Sequence, residues 1–165
     1  MRRARGSMVL ETALWIPVLM LLISGVIQFG KITYIYYTLR KTVYTAASYL
    51  AQQQGTNFCD LVDDPNYAAA LNFAVTGTAD GSGPPLVSGL TTDMLAVTVE
   101  CVDPANGAPA VCQNLGCGTD IGAQRPDYIV VNIPAGFPVT PRIPFLTLSA
   151  VPLAPSAAVP FGGVL

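Results

Sequence analysis

Polar and apolar positions divide the chain into two textures. Between Glu11 and Lys31 no charge interrupts residues 12–30, most of which are apolar. As a helix, this run is about 28 Å long, close to the roughly 30 Å hydrocarbon core of a bilayer. A cleaved secretory signal also opens with arginines and an apolar stretch, but its apolar region is shorter and ends at a small-residue cleavage site. Here no A-x-A-like site follows the run, and the helical pattern continues straight past the place where such a cut would fall. The pattern predicts a retained transmembrane helix.

Beyond the uncharged run, Ile32, Tyr36, Leu39, Val43, Ala46 and Leu50 recur at steps of four and three, the spacing of an apolar seam on one helix face. Lys31, Arg40, Lys41 and Gln52 fall on other faces. The helix is expected to end near Gln54, with Gly55 as the residue after its C-cap. From residue 12 to residue 54 it would be roughly 65 Å long. Part of the seam is expected to cover the chain's own sheet, yet anchoring alone does not require a helix that runs so far beyond the bilayer. Tyr34, Tyr36, Tyr37 and Tyr44 are expected to form an interfacial belt and helix contacts.

After Gly55 the texture changes, and thirteen of the fourteen prolines lie there, which argues against a second long helix. Asp64 and Pro65 read as N-cap and first residue of a short helix over 66–75. Residues 76–89 read as a loop. Residues 95–101 and 128–133 alternate as half-buried strands, joined by a long Gly- and Pro-rich connection over 103–127. Residues 146–151 and 157–161 are candidates for edge strands, because their prolines would interrupt a central one. The expected class is α+β, a long N-terminal helix packed on a small antiparallel sheet.

Charge sharpens this division. Arg2, Arg3 and Arg5 precede the apolar run, whereas the chain beyond Lys41 carries two basic residues against nine acidic ones, a formal −7. By the positive-inside rule the N-terminus is expected in the cytoplasm and the acidic domain across the membrane. Such a domain would repel a phosphate backbone, so no nucleic acid is expected as a partner. The four cysteines, Cys59, Cys101, Cys112 and Cys117, all follow the apolar run, and their even number in an exported domain favours disulfides over reduced thiols or zinc. With no histidine, no Ser-His-Asp or Cys-His arrangement is available, and no nucleotide-binding loop occurs. No enzyme activity, cofactor or metal is expected. Asp60, Asp63 and Asp64 lack the spacing of a calcium loop and read as a solvated acidic segment.

The most specific feature is the leader junction, Arg5, Gly6, Ser7, Met8, Val9, Leu10 and Glu11. Counting from Ser7, Glu11 is the fifth residue, as in type IV pilins after removal of a basic leader that ends in Gly. With Ala13, Leu14, Pro17, Gly25, Phe29 and Gly30, the first fifty residues resemble the TadE-like pseudopilins of tight-adherence (Flp) pilus systems. Ile143, Pro144 and Phe145 resemble the same family more faintly. The chain departs from the family at Thr12, where an aromatic residue is usual, and at Gln28, where an acidic one is common; the latter is expected to alter a helix–helix polar contact.

The resemblance implies a structural subunit for assembly of an adhesive pilus, with other pilins or pseudopilins, a prepilin peptidase, an inner-membrane assembly platform and the lipid bilayer as partners. It implies a leader over 1–6 cut between Gly6 and Ser7, a membrane segment over 7–30, an extramembrane helix over 31–54 and a disulfide-bonded periplasmic domain over 55–165. Helix packing would use Pro17, Gly25, Phe29, Gly30, Ile32, Tyr36, Leu39 and Val43. Glu11 has an argument of its own: a carboxylate in a membrane helix is costly, and cleavage would create an ammonium group on Ser7 to pair with a neighbour's Glu11. It would also be tolerated alone, at the interface beside the helix N-terminus. Pro17 removes one helical hydrogen bond, which either loosens the helix for extraction or is simply tolerated in lipid. The competing reading is a single-pass anchor displaying a small binding domain, which needs neither Gly6 nor Glu11.

Overall fold

The computed structural model describes residues 3–53, 56–112, 125–144 and 146–162. Gly55, Cys117 and Phe145 lie outside the described residues, as do the side chains of Gly6, Ser7, Cys59 and Leu146. The fold is α+β. Helix α1 (Arg3–Gln52) runs unbroken through Pro17. Its last described turn ends two residues before the expected stop at Gln54.

A short 3-10 turn (Phe58–Asp60) leads into α2 (Pro65–Thr76). The start of α2 is fixed by Asp64, which is buried and uses both carboxylate oxygens: Oδ1 accepts from Asn66 N at 2.7 Å and Oδ2 from Asn57 N at 2.7 Å. One bond caps the first turn of α2 and the other ties the preceding loop to it. Gly77 ends the helix at φ 79°, a left-handed conformation that glycine adopts without strain, and its N–H reaches Phe73 O at 2.9 Å. Ala70, Leu71, Ala74 and Val75 are buried, and α1 offers Ala46, Ala47 and Ala51. Small residues on both sides let the two helices approach closely. Tyr49 of α1 stacks on Phe73 of α2 with ring centroids 5.8 Å apart.

The main sheet is antiparallel, in the order β2-β1-β3-β8, from β1 (Ala96–Val102), β2 (Pro109–Val111), β3 (Tyr128–Asn132) and β8 (Ser156–Pro160). Its register sets Val99 beside Ile129 and Ile129 beside Val159, with Val97, Val131 and Ala157 in a second row. Both rows lie on the core face, where Ile129 and Val131 are fully buried and Leu39, Val43, Ala46 and Leu50 of α1 join them. The expected strands over 95–101 and 128–133 are the central pair, and the proline-bounded β8 is an edge. Prolines are tolerated there because the outer row of backbone groups makes no ladder bonds.

Two features depart from the expectation. The connection over 103–127 is not wholly irregular, since β2 folds back on β1 and is fastened by the Cys101–Cys112 disulfide, Cα–Cα 5.0 Å. The expected strand over 146–151 is instead two short strands of a bent arm. In that arm β4 (Phe137–Val139) pairs with β7 (Val151–Leu153), and beyond them β5 (Arg142–Ile143) pairs with β6 (Leu146–Thr147). Two residues separate β4 from β5 and three separate β6 from β7, so the return strand carries one extra residue. Such an offset bends a ribbon. Phe137 and Leu153 root the arm in the core. At its base Gly136 has φ 72°, and a Cβ there would lie 2.7 Å from the Pro152 Cβ, so only glycine fits without a shift.

Candidate functional site

The candidate site is α1 itself, which changes character along its length. Over residues 8–22 every side chain is exposed, including Leu10, Leu14, Trp15, Leu19 and Leu22. Val26 and Phe29 are 72% and 73% exposed, more apolar surface than water tolerates in a contiguous patch. From Leu39 to Leu50 the same helix supplies fully buried residues to the domain core. It is thus one helix with two surroundings, of a length and composition to cross a membrane once.

The Thr12 hydroxyl within the apolar part is satisfied locally. Thr12 Oγ1 donates to Met8 O at 2.8 Å, so its hydroxyl enters apolar surroundings with its proton already engaged. Glu11 is exposed on the helix one position before it and forms no ion pair among the described residues. Pro17, Phe29 and Gly30 are exposed, and a Cβ added at Gly25 or Gly30 would meet nothing within 4 Å. The chain's own packing therefore does not require glycine at either position.

The seam divides. Leu39 and Val43 are wholly buried within the domain, and Ile32 packs partly against the same core. Tyr36 lies off the seam, 38% exposed and edge-on to Tyr37 with centroids 6.1 Å apart. Its expected place is taken by Ile35, which packs on the core. The face that meets the domain is thus Gln28, Ile32, Ile35, Leu39, Val43, Ala46 and Leu50. Gln28 begins it: its Nε2 donates to Arg142 O on β5 at 2.8 Å, a contact within the chain. Spacing alone supports Ile35 as well as Tyr36, since each stands one helical step from Ile32 and from Leu39. The polar Gln28 carries no apolar signal at all.

On another face Tyr37, Arg40, Lys41 and Tyr44 line an open groove against Ser156, Ala157 and Ala158 of β8. Of the acidic segment, Asp64 is committed to capping α2. Cys101 and Cys112 are joined, while the Cys59 side chain and all of Cys117 lie outside the described residues.

Residues 6–48 match the family model of TadE-like proteins. Over that stretch, about a quarter of the chain, α1 resembles TadE-like proteins. The match starts at Gly6, takes in Glu11, Pro17, Gly25, Phe29 and Gly30, and runs on through Leu39, Val43 and Ala46, so it covers both the free and the buried stretch of α1. No curated protein and no solved structure matches the chain.

Proposed function

We propose that this chain is a TadE-like minor pilin or pseudopilin, a structural subunit used in assembling a Tad-type adhesive pilus from the bacterial inner membrane. The observation that carries the reading is the division of α1: its C-terminal half is consumed by its own domain, while residues 8–30 expose apolar surface on every side. A bilayer covers that surface before assembly, and neighbouring helices cover it afterwards. In this reading the leader, residues 1–6, stays in the cytoplasm until a prepilin peptidase cuts between Gly6 and Ser7, and the domain beyond α1 is periplasmic. Gly25 and Gly30 then give the close approach that helix packing in lipid favours. Glu11 pairs with the Ser7 ammonium of a neighbour, and the assembly platform and other pilins are the partners.

Mass spectrometry of the membrane-extracted protein, co-expressed with a prepilin peptidase, tests this directly. The expected mature N-terminus is Ser7. Recovery of an intact Met1 end from pilus-assembling cells would leave the single-pass anchor in its place.

A further inference from the structure

We infer that the arm over residues 137–153 is a second membrane contact, a foot that rests on the lipid surface on the domain's side of the bilayer. The inference rests on reading residues 12–30 as the span. Along α1 the domain core begins in earnest at Leu39, but the arm reaches down to Gln28, where Arg142 O accepts the side-chain amide at 2.8 Å. Eleven residues separate those levels, about 16 Å of helix. Gln28 lies two residues inside the end of the uncharged run, so the arm is pinned within about 3 Å, along the helix axis, of the level where hydrocarbon gives way to headgroups.

The chemistry of the arm suits that level. Its Pro144 is exposed, and Leu148 and Val151 are 44% and 41% exposed. Between Asp127 and Leu165 the only charged residue is Arg142, whereas the nine acidic residues of the domain all lie within 60–127. The part of the domain that reaches the bilayer is the part without carboxylates. Arg142 and Lys31 are both exposed at this level and place two cations where lipid phosphates lie. An apolar surface beside basic residues, free of acid, is the composition of a segment that lies in the interfacial plane.

The test uses the single tryptophan of the chain, Trp15, and two reporter positions. The full-length protein is reconstituted in phosphatidylethanolamine and phosphatidylglycerol vesicles, with and without acyl chains brominated near the headgroup. Trp15 in the unaltered chain reports whether the helix is in lipid. In a Trp15→Phe background, Leu148→Trp and, separately, Pro144→Trp report on the arm, and Val111→Trp on the far edge of the sheet, where the native side chain is 62% exposed. Brominated lipid should extinguish most emission from both arm reporters and leave them shielded from aqueous acrylamide, with the opposite result for Val111→Trp. Arm reporters that acrylamide quenches as fully as Val111→Trp, while lipid quenches Trp15, would overturn the foot and leave the anchor standing. Arm reporters protected from both quenchers would overturn it in favour of a second copy of the chain. Escape of Trp15 itself from lipid quenching would remove the anchor, and the foot with it.

Discussion

The Gln28 amide donates to the Arg142 carbonyl at 2.8 Å, joining the start of the domain-facing stripe of α1 to a strand 114 residues further on. A glutamate, the kind of residue common at this place in the family, has no N–H to give and would set a carboxylate against the carbonyl oxygen. Gln28→Glu is therefore expected to release the arm, at a cost of about 1 kcal/mol for a half-exposed hydrogen bond. Amide hydrogen exchange in detergent should quicken over 142–147 and remain unchanged in β1 and β3. Unaltered exchange over 142–147 would show that the arm is held by its apolar root alone.

The Cys101–Cys112 bond closes a loop with a sequence separation of 11 and holds β2 on β1. Loop-closure entropy puts its contribution at about 3 kcal/mol. Cys101→Ser with Cys112→Ser should lower stability by roughly that amount, read from denaturant midpoints of the purified protein. The remaining pair, Cys59 and Cys117, is expected to be oxidised as well, so thiol counting on the unreduced, denatured chain should find almost none. Two free thiols per chain would confine the oxidation to Cys101 and Cys112.

Gly136→Ala tests the root of the arm. The substitution places a side chain at φ 72° and sets its Cβ against Pro152, so a loss of about 1–3 kcal/mol is expected from the backbone conformation alone. Gly107→Ala is the matched control, with φ 69° but nothing within 4 Å of the added carbon. A larger loss at Gly136 than at Gly107, read by thermal unfolding, isolates the close approach. Equal losses would mean that Pro152 moves away freely.

Asp80 offers a small acid-dependent effect. Hydrogen bonds from the Ser82 backbone N–H and then its hydroxyl hold the Asp80 carboxyl below its ordinary value of 3.8, and Ser82 N lies 3.2 Å from Oδ1. A lowered folded-state value means that the stabilisation is complete above 3.8 and is lost as pH falls through the folded-state value. The group is fully exposed, so the effect is slight. Carboxyl NMR titration should place the Asp80 midpoint below 3.8 in the wild type and return it toward 3.8 in Ser82→Ala, where the stated bonds are weakened.

How much of this was legible in the sequence depends on how local the cause is. Asp64 and Pro65 mark the start of α2 because capping involves neighbours in sequence. The paired central strands are legible from alternation, and Leu39, Val43, Ala46 and Leu50 from helical spacing. Tyr36 and Ile35 could not be separated by spacing, since only the position of the sheet decides which face is covered. β2 and the arm strands have two or three residues each, and several contain proline, so neither alternation nor propensity accumulates over their length. The Gln28–Arg142 bond leaves no trace in either local segment. The Cys101–Cys112 pairing likewise depends on β2 folding back, which spacing does not reveal.

Glu11→Ala is expected to leave membrane insertion intact and impair incorporation into the pilus machinery. Residues 12–30 carry the hydrophobicity that drives insertion, and removal of a carboxylate from the helix eases it further. Assembly differs, because the Ser7 ammonium released by cleavage would then face an apolar neighbour without its proposed counter-charge. Leaving one member of a buried charge pair unpartnered costs about 2–5 kcal/mol per contact, enough to exclude the subunit from a growing structure. Glu100→Ala, on the half-buried β1 in the domain, is the control for a general effect of carboxylate loss. The measurements are membrane level and co-purification with other pilus subunits, taken side by side. A Glu11→Ala chain that inserts and co-purifies like the wild type would show that Glu11 rests at the interface beside the helix N-terminus, where a negative charge is mildly favourable without any partner. The anchor reading would then account for α1 as well as the pilin reading does.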